Sequence, residues 1–246
     1  MTVSRYLKDV IVAGEYHAEI TPKFPAPVPL PGILHVHGAG GTGLTALQWY
    51  GDGDPHATNT FTDAGFVSVS PDLGGPQTWG SAAITDKMST ARNYLHTLPG
   101  VAPGKIVLYG QSAGGLAALN WAAANPTLVA CIVLIVPVIN LTDIKVNNRT
   151  GYASLVDAAY GGNYSEAVHG ATRNPKTMAS AGKYAGIPIL IHYGLTDTTC
   201  IASETEAFAQ IVGSNVEMVS HPTGHDMTTY MSVDNRSLAD WVLSKI

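Results

Sequence analysis

"KIVLYGQSAGGLAALNWAAA", residues 105–124, runs from the apolar Ile106 to Tyr109 through Gly110-Gln111-Ser112-Ala113-Gly114 into an alanine-rich stretch that stops at Asn125-Pro126. The apolar run predicts a buried strand. The alanines and leucines predict a helix, and proline past Asn125 ends it. Between them lies G-x-S-x-G in the context of strand, sharp turn and helix. Such a turn crowds strand against helix, so the positions flanking the serine must lack side chains while the serine is held strained with its hydroxyl exposed. The N–H of Ala113 then sits at a helix N-terminus, aimed at any negative charge that develops beside Ser112. On its own the pattern is weak, because Gly- and Ser-rich turns are common. The rest of the chain supplies the context.

Short apolar runs recur on both sides of this stretch: Ile33 to His37, Phe66 to Ser70, Val129 to Val138, Ile187 to Tyr193 and Val216 to Ser220. Each is followed by a helical pattern, which argues for a mostly parallel sheet with helices on both faces. The opening to about residue 21 reads as β-rich, and a Pro-rich connection leads from it to the first buried strand. Ile84, Met88, Ala91 and Leu95 have helical spacing before Pro99-Gly100. Ser203 and Glu206 predict a capping box ahead of Phe208, Ile211 and Val212, with Gly213 as the stop. Leu238, Trp241 and Val242 predict a buried stripe in the last helix. From Asn140 to Gly186 lie 47 residues, more than a crossover needs. Tyr152, Leu155, Val156, Ala159 and Tyr160 are helically spaced within it, so this insert (140–186) is expected to be a small helical lid within a single domain, 1–246.

At 246 residues, 46% hydrophobic and 13% charged, the chain can bury a large core, which excludes disordered and fibrous classes. The formal charge of −5 arises from interspersed acids without a Lys/Arg cluster, so nucleic acid is not an expected partner. Arg5, Lys8, Asp9 and Glu15 interrupt the apolar run a signal peptide would need, and no later stretch reads as a membrane span. The expectation is a soluble protein, cytoplasmic or otherwise. Cys131 and Cys200 fall in different strand regions and read as free thiols.

Downstream of Ser112, "ILIHYGLTDTTC" ends a strand and puts Asp197 in the next loop; "VEMVSHPTGHDM" ends the final strand and puts His225 in the loop after it. The order Ser, Asp, His, each past the carboxyl end of a strand and separated by 85 and 28 residues, resembles the α/β-hydrolase fold family of serine esterases and lipases over nearly the whole chain. The resemblance implies an α/β-hydrolase sheet with Ser112 as nucleophile, His225 as base and Asp197 as the acid, with Asp143 as a rival acid. It also gives a role to "HVHGAGGTG", residues 35–43. In the family's esterases a His-Gly-rich loop after an early strand supplies a second oxyanion donor. Ala39, with Gly40 beside it, would face Ala113 across the carbonyl oxygen.

Glycines 38, 40 and 43 also satisfy G-x-G-x-x-G, but a dinucleotide site needs an acid ending the next strand about 20 residues on. Asp52 and Asp54 lie instead in a turn, "GDGDP", and Asp72 is 34 residues past Gly38. His35 and His37, with His221 and His225, invite a zinc reading. No carboxylate or third histidine follows at a metal-hydrolase spacing, so no metal and no cofactor are expected, and His221 reads as structural. The expected activity is hydrolysis of a small-molecule carboxylic ester through an acyl-enzyme, with Tyr152, Leu155 and Tyr160 of the insert forming the acyl wall. The alternatives are a prolyl-oligopeptidase-like peptidase and a catalytically silent binding protein. Acyl and alcohol specificity and oligomeric state stay open.

Overall fold

The computed structural model describes residues 5–44 and 57–246, so the "GDGDP" turn lies outside the described residues. β1 (Arg5–Val12) and β2 (Glu15–Pro22) form an antiparallel hairpin turned at Ala13-Gly14. Both turn residues have positive φ (50° and 80°), as a two-residue primed turn requires. β3 (Ile33–Val36), β4 (Ser68–Pro71), β5 (Ile106–Gln111), β6 (Val129–Ile135), β7 (Ile189–Gly194) and β8 (Val216–His221) complete an eight-stranded sheet. The order is β1-β2-β4-β3-β5-β6-β7-β8, parallel from β4 to β8. The run expected to reach Val138 ends as a strand at Ile135, because Val136 takes a positive φ (42°) and Pro137 follows.

Around the sheet lie α1 (Ala57–Asp63), α2 (Ala82–Leu95), α3 (Ala113–Ala124), α4 (Leu141–Val146), α5 (Ala153–Ala159), α6 (Glu166–Arg173), α7 (Pro175–Ser180), α8 (Ala202–Val212), α9 (Met227–Met231) and α10 (Asn235–Leu243). Strand residues alternate between two cores, as a period of two demands. Ile106, Leu108, Ile132 and Leu134 pack with α2, α3 and Phe208 of α8. Val107, Tyr109, Cys131 and Val133 pack with Phe61 of α1 and Leu238 and Val242 of α10. The α2 stripe of Ile84, Met88, Ala91 and Leu95 is buried as its spacing predicts. Ile84, Met88 and Leu95 each contribute about 1.5–3 kcal/mol by leaving water.

The capping box expected at Ser203 does not form. α8 starts after Ile201 without a side-chain cap, Ser203 falls inside its first turn, and Glu206 instead accepts the Tyr193 hydroxyl at 3.2 Å. Gly213 does end the helix, at φ 83°. Ile211 is exposed, and Thr205, Phe208 and Ala209 form the buried face. The 140–186 segment is largely helical, and its α6 and α7 pack against α3. Among the described residues, no helix is long and apolar enough to cross a membrane.

Candidate active site

β5 delivers Ser112 to the carboxyl edge of the sheet, and the glycines explain how. Ser112 has φ 49° and ψ −121°, a conformation that costs a non-glycine residue on the order of 1–3 kcal/mol. It is held there by hydrogen bonds on both sides: its N–H donates to Ile135 O (3.0 Å), and its carbonyl accepts from Val138 N–H and Gly115 N–H (3.0 Å each). A Cβ on Gly110 would lie 2.8 Å from Gly114 O, and one on Gly114 would lie 2.1 Å from Val36 O. The helix therefore starts against two strand backbones with no room for a methyl group.

His225 Nε2 lies 2.9 Å from Ser112 Oγ, and His225 Nδ1 lies 2.8 Å from Asp197 Oδ2. The other Asp197 oxygen accepts the N–H groups of Thr199 and Cys200, both at 2.8 Å. A carboxylate only accepts, so Nδ1 carries the proton and the lone pair of Nε2 faces the serine hydroxyl. The Asp197 side chain is fully buried, while the imidazole keeps 20% of its exposure. Asp143 is committed elsewhere: it receives Arg149 Nε at 2.9 Å and Nη2 at 3.1 Å and lies in the first turn of α4.

The 35–43 loop approaches from the other side. Gly38 passes so close that a Cβ would sit 3.3 Å from Ser112 Cβ, and Gly43 so close to β4 that one would sit 2.4 Å from Ser70 O. Two glycines of the G-x-G-x-x-G pattern thus serve close backbone packing. His37 lies between the carbonyls of Gly38 and Asp72 at 2.9 Å from each, and Asp72 Oδ1 accepts Gly43 N–H at 2.7 Å. Gly40 is a correction to the expected donors. Its N–H is spent on Pro76 O at 2.8 Å, so it is not available to an oxyanion. The amides of Ala39 and of Ala113, the first residue of α3, donate to no described residue.

The four histidines of the zinc reading are not brought together. His35 packs against Tyr109 and Phe61, and His221 meets His192 and Ser232. Asp197, Cys200 and His225 do lie with their donor atoms within 4.8 Å of one another. Burial, followed by the charges of Asp197 and Asp143, pushes the Cys200 thiol well above its ordinary value, so it stays protonated beside the Asp197 carboxylate.

A cavity of about 320 Å³ opens over Ser112 and His225, walled by Ala39, Tyr152, Met227 and Tyr230. Of the three insert residues expected there, Tyr152 lines it, and Leu155 and Tyr160 do not. Tyr160 donates its hydroxyl to Trp79 O at 3.0 Å and packs on Tyr164 and His169, while Leu155 packs on the apolar cluster that joins the insert to Trp79, Ala113 and Leu116. The Trp79 ring also lies tilted against that of Tyr152, centroids 4.9 Å apart, so it anchors the insert to the body. Met227 and Tyr230 were not picked out from the sequence. Their signal was their place in the short α9, immediately after His225. Asp226 caps that helix, accepting Thr228 N–H at 2.9 Å, and also borders the cavity beside His225.

A strained serine at a strand-to-helix elbow, with a buried carboxylate from the loop after β7 and a histidine from the loop after β8, defines the α/β-hydrolase fold. The chain belongs to the prolyl oligopeptidase family, whose sequence model matches residues 54–244, and is a hydrolase of the serine type. No curated protein matches the chain. Among solved structures it is similar to the fluorophosphonate-binding serine hydrolase FphF of Staphylococcus aureus, at 14% identity and a TM-score of 0.77 over 97% of this chain and 98% of that one. An S-formylglutathione hydrolase from Agrobacterium tumefaciens gives 13% identity and a TM-score of 0.68 over 98% and 94%. An acylaminoacyl peptidase of Pyrococcus horikoshii gives 15% and 0.72 over 96% of this chain and 40% of that one.

Proposed function

We propose that this serine hydrolase cleaves small carboxylic esters through an acyl-enzyme. The reading rests on the Ser112–His225–Asp197 hydrogen-bond chain, at 2.9 and 2.8 Å, opening onto a cavity beside two unpartnered amides. His225 Nε2 takes the Ser112 proton as Oγ attacks the ester carbonyl. Asp197 holds the imidazole tautomer and stabilises the imidazolium, and the N–H groups of Ala39 and Ala113 receive the oxyanion. Protonated His225 then passes its proton to the leaving alcohol. Water, activated by the same imidazole, attacks the acyl carbonyl and frees the serine.

Support for an ester over a peptide comes from the cavity. Tyr152, Met227 and Tyr230 offer an apolar wall to an acyl chain, with Tyr152 as the insert's contribution. The family match keeps a peptidase as the second reading. A panel of p-nitrophenyl esters of rising acyl length, run beside a proline p-nitroanilide, separates them. Turnover of the anilide above that of every ester would overturn the ester assignment, and a fluorophosphonate adduct mapped anywhere but Ser112 would overturn the nucleophile.

A further inference from the structure

The loop that carries His225 is held by hydrogen bonds that the acyl transfer does not itself use. Thr229, buried in α9, donates its hydroxyl to Gly224 O at 2.5 Å and meets the Thr223 hydroxyl at 2.5 Å. With its one proton given to Gly224, Thr229 accepts from Thr223. The Thr229 carbonyl accepts the Ser232 hydroxyl at 2.7 Å. That commits the Ser232 proton, so the contact at 2.8 Å between Ser232 Oγ and His221 Nδ1 has the ring as donor. His221 Nε2 is then the acceptor for His192 Nδ1–H at 2.9 Å, the two rings lying stacked across β7 and β8. Burial lowers both rings from the ordinary histidine value, His221 adding to the effect on His192, which favours the neutral tautomers this pattern needs.

The donors of this chain point one way, from His192 in β7 to the α9 backbone, and Thr229 passes the constraint to the carbonyl one peptide bond before His225. The acid loop is fastened to the same place. Leu195 N–H donates to His221 O at 2.8 Å and Thr196 N–H to Thr223 O at 3.0 Å. A Cβ on Gly194 would lie 2.5 Å from Thr223 O.

We propose that Thr229, Ser232 and His221 are positioning residues that set the place of the His225 ring relative to Ser112 Oγ. The inference rests on the reading of His225 as the base. A nucleophile and base that must meet within a few tenths of an ångström lose rate steeply when the loop between them relaxes. Thr229→Val keeps the side-chain shape and removes the hydroxyl; Ser232→Ala changes an exposed residue and leaves the core intact.

The test measures ester kcat and KM per site titrated with a fluorophosphonate, beside melting temperature. Thr229→Val is expected to lower kcat by about 10-fold with KM changed less than about two-fold, Thr229→Ser to restore it, and Ser232→Ala to lower kcat by about three-fold. Lowered melting temperature with kcat per titrated site unchanged in both variants would overturn the proposal. Should Thr229→Val not accumulate folded, Ser232→Ala and Thr229→Ser decide on the same criterion: an unchanged kcat in Ser232→Ala overturns it. Wild-type protein that is not labelled at Ser112 would instead overturn the site reading, and the relay with it.

Discussion

The two halves of the site are built by different physics. Around Ser112, position is set by excluded volume: Gly110 and Gly114 leave no room for a methyl group between β5, α3 and the β3 backbone, Gly115 leaves none against Pro137, and the strands are buried on both faces. Around His225, position is set by hydrogen bonds among Thr223, Thr229, Ser232 and His221, on a strand whose residues from Glu217 to Ser220 are exposed. Steric control tolerates no enlargement and is independent of pH. Hydrogen-bond control tolerates isosteres and fails when a proton moves. The comparison predicts opposite responses to the same kinds of perturbation.

Chemistry should not distinguish the halves at all. Ser112→Ala and His225→Ala are each expected to lower kcat on esters by about 10⁴-fold or more, because the two act as one unit. Turnover near the wild-type level in either variant, measured after purification from background esterases, would break the comparison at its root. Stability should distinguish them sharply. Gly114→Ala forces a Cβ to 2.1 Å from a strand carbonyl, so a loss of about 3 kcal/mol or more is expected in a denaturant titration. A normal midpoint for that variant would show that the elbow is not held by sterics.

Acid should weaken the hydrogen-bonded half. His192 is lowered to about 4 by burial and by His221, so the folded form stays neutral while the unfolded chain takes up its proton near 6.5. Stability is therefore level above that value and falls as pH drops from about 6.5 toward 4, by on the order of 3 kcal/mol for this ring. His192→Gln should flatten that slope in melting curves taken across the window; an unaltered slope would remove the pair from the account.

The smallest effect is expected at the cavity wall. Tyr152→Ala should raise KM for long acyl chains by about three- to ten-fold while leaving kcat on an acetyl ester nearly unchanged, since it removes binding shared by ground and transition states. Tyr160→Phe, which loses the bond to Trp79 O, should leave the acyl-length profile as it is.

The steric half was legible in the sequence because glycine is informative once its context is counted: a G-x-S-x-G between an apolar run and an alanine-rich helix gained its meaning from Asp197 and His225 placed after later strands. The strands from β3 to β8 were legible from apolar runs, except where Val136 turned to positive φ inside one. Asp197 and His225 were legible by their places after strands. The Gly40 donor and the wall roles of Leu155 and Tyr160 were misread for a common reason. Helical spacing and a glycine-rich pattern say which residues share a face or a loop, but not which carbonyl captures an N–H, as Pro76 captures that of Gly40. The Thr229 relay gave no signal, since threonines and serines in a short helix are unremarkable until their partners are known.

β8 pairs with β7 on one side and has no described partner on the other. A strand so placed is expected to come away more readily than the strands from β3 to β7, because local opening costs less where fewer buried contacts are lost. The molecule is therefore expected to fail in order, the loop that carries His225 first and the Ser112 elbow last. Partly denatured protein would keep its circular dichroism and its strained serine yet turn over nothing, and on return to water it would regain activity without having to refold its centre.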